Sequence, residues 1–424
     1  MDLHPLKDAL VNELHNRPFP VVALPAQISS LVFLHSGDRQ AELAKLAELA
    51  QLYNVPGPSE SDSTDCYYQS FKTFDLRWEF HNEFSTYTVI RQGSSEQQFC
   101  LNVFSLIDSD WVESLEGQLI AANHIDLRPA DSAPKTAEAL AEQFNGQRLV
   151  GGNIYDGLAT IWTSVQADPD GFIRTLVVDR GLDSPQAGRV IRNLLEIAAY
   201  RSMTLLALPI ARLLMPEVRQ LEQRLVETND KLNKLVTLED EQGLMNELIA
   251  EATQLEKLVA DHNFRFSATE AYFNLTESRL NMLREQKIPA IRTLKQFHAR
   301  RFIPAFNTCM SVVKRKENLS KRISRTSELL HLRLQLSLET QNQELLASMD
   351  RRSEIQLRLQ QTVEGLSVVA MTYYSMSLIS LLTKPIPIED YLPISQPIAL
   401  AIATPIVFFG SILVILRIRK KLHS

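Results

Sequence analysis

Two long uncharged runs near the C-terminus constrain this chain more than any other feature. Residues 366–382 and 397–416 carry no charged side chain, and the hydrocarbon core of a bilayer requires about 20 apolar residues of helix. Pro405 and Gly410 interrupt the second run, and membrane helices tolerate such residues. We therefore predict transmembrane helices at 364–383 and 397–416. The alternative is a pair of buried helices in a soluble domain.

Charges around the two runs predict their orientation. The tail 417–424 is basic, and arginines precede the first run, whereas the connecting loop 384–396 holds one lysine against two acids. Because basic residues favour the cytoplasmic side, both termini are expected in the cytoplasm and the short loop outside. The N-terminal segment does not have the pattern of a signal peptide. Three cysteines without a Cys-x-x-Cys pair fit a reducing compartment.

The first 181 residues mix strand-like and helix-like patterns. DCYYQSFKTFDLRWEF and STYTVIRQ are rich in aromatic and β-branched residues, whereas AELAKLAELAQLY has helical spacing. We predict an α+β cytoplasmic domain at 1–181 and a helical region at 182–303, in which Pro209 and Pro216 break the helices. LVGGNIYDG lacks the lysine of a P-loop, so its glycines are interpreted as turn residues.

A long helix is predicted at 304–363, because no proline occurs between Pro304 and Pro385. Continued through the first run, about eighty residues at ~1.5 Å each would form a stalk on the order of 110 Å long. The alternative is a set of shorter helices that break near Gly365 and RKENLSKR.

An apolar stripe follows this predicted helix, mostly at steps of four and seven residues. Such a stripe favours packing on neighbouring helices or on identical subunits, as in a coiled coil. Its members are Ile323, Leu330, Leu334, Leu338, Leu345, Met349, Ile355, Leu359 and Val363.

Six motifs occur in order along nearly the whole chain: HPLKDALVNELHNRPFP, RWEFHNEFSTYT, DGFIRTLVVDRGL, LLEIAAYRSMTLLALPIAR, RFSATEAY and ASMDRRSEIQLRLQQTVEGLSVVAMTYY. Together they resemble a bacterial family of uncharacterised membrane-anchored proteins, a domain of unknown function. The resemblance implies an architecture and a location in the bacterial inner membrane, but no chemistry.

The predicted layout also resembles the CorA class of divalent-cation channels. Those channels have a cytoplasmic domain, a long stalk helix that enters the first of two C-terminal spans, and a short outer loop. They end the first span with Gly-Met-Asn, whereas this chain reads SLISLLTKP. The resemblance implies a possible cation channel without magnesium selectivity of that type. The other hypothesis is a membrane-anchored scaffold or sensor whose cytoplasmic domain binds an unknown partner.

RWEFHNEF is the candidate for a metal site. If it forms one strand, Arg77, Glu79, His81 and Glu83 share a face, because side chains alternate. Glu79, His81 and Glu83 could then bind a divalent cation, and the alternative is the solvated face of a half-buried strand. No catalytic motif is recognised, so neither an enzyme nor any other cofactor is predicted.

Within the first predicted span, Glu364, Ser367, Met371 and Ser375 share one helix face. An acid followed by hydroxyls is what a cation pathway lined by several subunits would use. Hydroxyls also serve helix packing in lipid, which is the alternative. These four residues are the predicted pore lining of a homo-oligomer in membrane lipid.

Local basic charge is concentrated on the predicted stalk. The net charge of −6 argues against nucleic acid as a partner. The basic residues are expected to meet acidic helices, with Glu239, Asp240 and Glu241 as partners: Lys314, Arg315, Lys316, Lys321, Arg322 and Arg325.

Overall fold

The computed structural model describes most of the chain: residues 4, 7, 20–35, 37–58, 65–93, 99, 102–134, 136–232, 234–235, 237–384 and 395–422. The chain divides into two compact units. The first comprises Met1–Lys234 and Asn246–Thr326, and the second comprises Leu235–Met245 and Ser327–Ser424. The predicted outer loop 384–396 lies almost entirely outside the described residues.

One mixed sheet forms the centre of the first unit. Its strands are β1 (Ala26–Leu34), β2 (Cys66–Ser70), β3 (Asp75–Phe80), β4 (Phe84–Gln92), β5 (Gln118–Pro129), β6 (Val150–Ile154), β7 (Ala159–Ala167), β8 (Ile173–Asp179) and β9 (Gln286–Lys287). Their order is β2-β3-β4-β1-β5-β8-β7-β6-β9. β5 and β8 pair in parallel, and the other neighbours are antiparallel.

Apart from three short 3-10 helices, the remaining regular structure of the described residues consists of α-helices. They are α1 (Arg39–Leu52), α2 (Ser109–Glu113), α3 (Ala137–Gln143), α4 (Ser184–Leu205), α5 (Ala207–Leu232), α6 (Leu238–Met282), α7 (Leu294–Thr383) and α8 (Gln396–Leu422). Asp183 caps α4: its carboxylate accepts from the Gln186 amide at 2.6 Å, and the Gln186 side chain accepts from the Asp183 amide at 2.9 Å. This reciprocal pair satisfies two backbone donors at the helix start.

Helices cover both faces of the sheet. On β1, Ile28 packs in a cluster with Val190 of α4, whereas Leu31 packs in a cluster with Leu46 of α1. Side chains alternate along a strand, so one strand supplies both cores. The predicted mixture of strands and helices is confirmed. Because the helices are not segregated to one face, the arrangement is α/β rather than the predicted α+β.

α5, α6 and the first part of α7 pack around a separate apolar core within the first unit. Arg224 of α5 donates to Gln254 of α6 at 3.1 Å, and Lys231 donates to Glu247 at 2.7 Å. The partner numbers fall as the α5 numbers rise, so α5 and α6 are antiparallel. The buried members of this core are Ala207, Ala211, Leu214, Val218, Phe266, Cys309 and Val312.

Prolines do not end the helices where the sequence predicts. The chain breaks at Leu206, and Pro209 occupies the first turn of α5, where an absent N–H leaves no intrahelical bond unmade. Pro216 lies inside α5 and Pro304 inside α7, which begins ten residues earlier, at Leu294. An interior proline costs about 3 kcal/mol. Here apolar core residues near the prolines, Leu214 and Val218 around Pro216 and Cys309 after Pro304, offset that cost.

α7 contains 90 residues and has no break at Gly365 or in RKENLSKR. The predicted continuity between the stalk and the first apolar run is confirmed, and the alternative of several shorter helices is wrong. A glycine inside a helix lowers the stability of the helix by only about 1 kcal/mol. The residues around Gly365 outweigh this cost.

Candidate functional site

Arg77 and Glu79 of β3 form a buried ion pair on the sheet face that α4 covers. Arg77 is 2% exposed and Glu79 9%. Arg77 Nη2 donates to Glu79 Oε1 at 2.7 Å, and Nη1 donates to Oε2. The alternation predicted for β3 therefore holds, but this face is not the solvated one, because α4 lies over it.

His81 and Glu83 do not continue that face, so the prediction of one row of four residues is wrong. β3 ends at Phe80 and β4 begins at Phe84, which places both residues in the intervening turn. Glu83 instead pairs with Arg265, 2.6 Å from Nη2 to Oε1. The His81 ring stacks on Phe84, with centroids 4.4 Å apart.

The three predicted metal ligands therefore do not converge on one centre. Among the described residues, no group of three or more His, Cys, Asp or Glu side chains is placed to hold a metal ion. Glu79 and His81 do line one small cavity of about 20 Å³ with Arg192, Glu196 and Tyr200 of α4. This volume holds about one water molecule.

Nearby positive charges favour the ionised form of Glu79 in this cavity. Burial raises the pKa of Glu79, but the positive charges of Arg77 and His81 prevail, and the pKa lies below its ordinary value. Burial raises the pKa of Tyr200, and the charge of Glu196 adds to the rise. The arrangement is an ion pair within β3 that α4 covers, without room for a substrate.

Glu42 is a buried carboxylate that the sequence reasoning missed. It accepts from Trp78 Nε1 at 2.6 Å, from Ser85 Oγ at 2.5 Å and from the Tyr87 hydroxyl at 2.9 Å. Its spacing from Leu46 and Leu49 puts it on the apolar face of α1. That spacing is the signal that could have identified it. Three donors satisfy the carboxylate, so its role is to tie α1 to the sheet.

Among the residues that the structure describes, three helical segments are long and apolar enough to cross a membrane, by length and composition only: Ser184–Leu232, Leu294–Thr383 and Pro397–Ile418. In the first segment 56% of the most apolar window is buried within the protein, against 6% in each of the other two. The apolar surface of α4 and α5 is therefore used in folding. The most apolar windows of α7 and α8 are left exposed.

The predicted pore residues lie on the exposed final part of α7. Gln360 Nε2 donates to Glu364 at 3.1 Å, and the Ser367 hydroxyl donates to the Val363 carbonyl at 2.8 Å. Met371 is exposed, whereas Glu364 and Ser375 are half-buried. Hydroxyls elsewhere in these segments also donate to the carbonyl four residues back, as Thr372, Thr404 and Ser411 do.

Comparison with known protein families assigns nearly the whole chain to one family. A profile described as "Protein of unknown function (DUF3422)" matches residues 2–422. The chain belongs to this family. The predicted resemblance to a family of unknown function is confirmed, and it covers nearly the entire chain. A search of curated proteins finds no match.

The basic residues predicted on the stalk meet other helices in part. In the first unit Arg315 donates to Glu222 of α5 at 3.0 Å, and Lys316 lies 5.4 Å from the centre of the Phe266 ring of α6. In the acidic run 239–241, Glu241 pairs with an arginine that is not part of the predicted basic cluster. In the second unit, Arg333 donates to Glu241 at 2.7 Å.

The apolar stripe of α7 changes its environment along the helix. Ile323 and Leu330 are buried, at 4% and 0% exposure. The six members from Leu338 to Val363 are between 47% and 66% exposed. The same helix face that is covered near Leu330 is therefore uncovered from Leu338 to Val363 in the single chain.

Proposed function

We propose that the protein is an integral membrane protein of the bacterial inner membrane, anchored by the end of α7 and by α8. One observation carries the proposal: the most apolar windows of these helices are only 6% buried. Large exposed apolar surfaces mark sites of protein or membrane interaction. Burying a leucine or phenylalanine side chain contributes about 1.5–3 kcal/mol, so insertion would be strongly favourable.

The backbone and hydroxyl groups of these segments suit a bilayer. A helix satisfies its own backbone groups, which lipid cannot do. Ser367, Thr372, Thr404 and Ser411 donate within their own helices, so no hydroxyl of these four needs water. The basic tail 417–424 and the arginines before the first span support cytoplasmic termini.

We further propose that α7 assembles with identical copies of itself through the stripe from Leu338 to Val363. A helix face of six exposed apolar residues leads directly into the membrane segment. Identical helices that enter one membrane in parallel would bring these stripes together as a coiled coil. Arg352 falls on the same face. A charged residue in the interface between coiled-coil helices favours one register and one number of helices, at a cost in stability.

The specific activity proposed is cation conduction in a CorA-like layout. An α/β domain followed by a continuous stalk helix and two apolar helices supports it. In a symmetric assembly Glu364 would form an acidic ring at the pore mouth, which concentrates cations. The second candidate is a membrane-anchored scaffold or sensor. The absence of Gly-Met-Asn at the end of the first span favours it.

Flux into liposomes tests the proposal. The detergent-purified full chain should form a closed oligomer by mass measurement and admit monovalent cations into liposomes. Glu364→Gln should reduce that flux several-fold without dissociating the oligomer. Glu354→Gln, one charge removed ten residues earlier on the same helix, is the matched control and should leave flux unchanged. An oligomer that passes no cation would favour the scaffold function, and a soluble chain after alkaline extraction would refute membrane insertion.

A further inference from the structure

An open cleft of about 1020 Å³ lies between α4 and α6 in the first unit. Both helices present polar residues to it at helical spacing. Arg189 and Arg192 come from α4, Arg279 and Asn281 from α6, and Arg284 follows α6. Its size is at the upper end of the range for small-molecule sites.

The lining of this cleft is strongly cationic. Four arginines face one acid, Glu277, so the side chains that line it carry a net charge of +3. Such a concentration of guanidinium groups within one cavity is unfavourable unless anions compensate it.

Carboxylates behind the lining compensate these charges only in part. Glu196 accepts from Arg192 Nε at 2.8 Å and also from Arg279 Nε, so one carboxylate serves two arginines. Asp156 lies 2.6 Å from Arg284, but both side chains are more than half exposed, and such pairs are weak. Within the described part of the chain, Arg189 makes neither a hydrogen bond nor an ion pair.

The edge of the cleft contains strained backbone from the LVGGNIYDG motif. Tyr155, Asp156 and Gly157 have φ of +51°, +60° and +92° in succession. Left-handed conformations at non-glycine residues cost on the order of 1–3 kcal/mol each and concentrate at functional sites. The strain is maintained by contacts on this edge: Asn193 donates to the Tyr155 hydroxyl at 3.1 Å, and the Arg284 guanidinium lies 5.5 Å from the centre of the Tyr155 ring.

We propose that this cleft binds a soluble anion that carries two or three linked phosphate groups. Guanidinium groups donate in a planar fork that matches phosphate oxygens. A chain of phosphates can accept from several of these guanidinium groups at once, whereas one carboxylate can accept from only one or two. Neutral donors from asparagine side chains add directional contacts without more charge. The proposal is independent of membrane insertion and of conduction.

Calorimetric titration of the full-length protein in detergent with inorganic triphosphate tests this site. At equal ionic strength we expect triphosphate to bind at least about tenfold more tightly than sulfate, because linked phosphates reach several arginines at once. Arg189→Glu and Arg284→Glu should each weaken triphosphate binding by about tenfold or more. Both residues are exposed at the rim, so the melting temperature should change little.

The matched control is Lys72→Glu, the same charge reversal in the exposed turn between β2 and β3. β2 is one edge of the sheet, and β6, which leads to Tyr155, lies near the opposite edge. This variant should bind triphosphate as the parent does. Three results would overturn the proposal: no saturable binding at millimolar triphosphate, equal affinity for sulfate, or an equal loss in Lys72→Glu. The oligomer mass and the flux are measured separately, so a failure here leaves the proposed function untouched.

Discussion

Arg77 and Glu79 lie two residues apart on β3, and the guanidinium of Arg77 holds both carboxylate oxygens of Glu79 beneath α4. Arg77 is 2% exposed and Glu79 9%, so both charges are largely shielded from water. A buried pair of this kind gains from mutual attraction about what it loses in hydration, whereas one partner alone keeps the hydration cost. The pair therefore makes the contact between sheet and helix sensitive to single substitutions.

Single and paired substitutions at Arg77 and Glu79 should differ in the size of their effect on stability. Arg77→Met or Glu79→Leu alone should lower the free energy of unfolding by about 3–5 kcal/mol, because each removes one partner of a buried ion pair and leaves the other charge shielded from water. The double variant should recover most of that loss. Urea unfolding of the full chain in detergent measures all three.

The exposed pair Lys231–Glu247 provides the comparison for that cycle. Lys231→Met should change the free energy of unfolding by less than about 1 kcal/mol, since exposed pairs contribute little. Equal effects at the buried and the exposed pair would show that burial beneath α4 is not what makes Arg77 and Glu79 sensitive.

His298 predicts a specific loss of stability in acid. Its ring is 1% exposed, and neither ring nitrogen has a hydrogen-bond partner among the described residues. Burial, with the charge of Arg201, lowers the pKa of His298 from 6.5 to about 3. A depressed histidine pKa means that the unfolded chain takes up the proton first. The stability that neutral His298 contributes to the folded protein is therefore fully present above pH 6.5 and is lost as the pH falls toward 3.

Replacing His298 should remove this part of the pH dependence. Between pH 6 and pH 4 the parent should lose about 1.4 kcal/mol per pH unit more than His298→Gln does. Urea unfolding at fixed pH values measures the slope, and His331→Gln at an exposed position is the control. A His298→Gln variant with the parental slope would contradict a neutral, buried His298.

The sequence predicts local features of this fold well, because they depend on nearby residues. Periodicity identifies α7 from Leu330 to Leu359, and alternation correctly separates Arg77 from Trp78 on β3. The end of β3 at Phe80 is missed, because only cross-strand pairing with β4 decides where the turn begins. The role of Glu42 is missed for a similar reason, since its donors lie on β3 and β4.

The candidate site was less accessible to sequence reasoning than the fold. The sequence around Glu79 is compatible with a metal site or with a solvated strand face. The packing of α4 excludes the solvated face, and α4 lies more than a hundred residues later in the chain. The arginines of the cleft come from positions 189 to 284 and share no motif. Their grouping follows from the packing of α4 and α6, which no local pattern specifies.

Orientation in the membrane is testable by cysteine labelling. In intact cells a membrane-impermeant maleimide should label Ser395→Cys, which lies in the predicted outer loop, and should not label Ser424→Cys in the basic tail. The parent, with its native cysteines, gives the background. After cell lysis Ser424→Cys should react as well. That result would show that the membrane, and not burial within the protein, had kept the maleimide from position 424. Labelling of Ser424→Cys before lysis would reverse the proposed topology.

The exposed stripe of α7 predicts where assembly can be broken. At 100° per residue, Leu345 and Val363 point in the same direction, whereas Gln343 points about 160° away. Leu345→Glu should place a charge in the seam of each neighbouring pair of helices and reduce the mass of the detergent-purified particle. Gln343→Glu adds the same side chain on the other face and should preserve the parental mass. If both variants keep that mass, the stripe faces lipid or another partner, and assembly must rest on other surfaces.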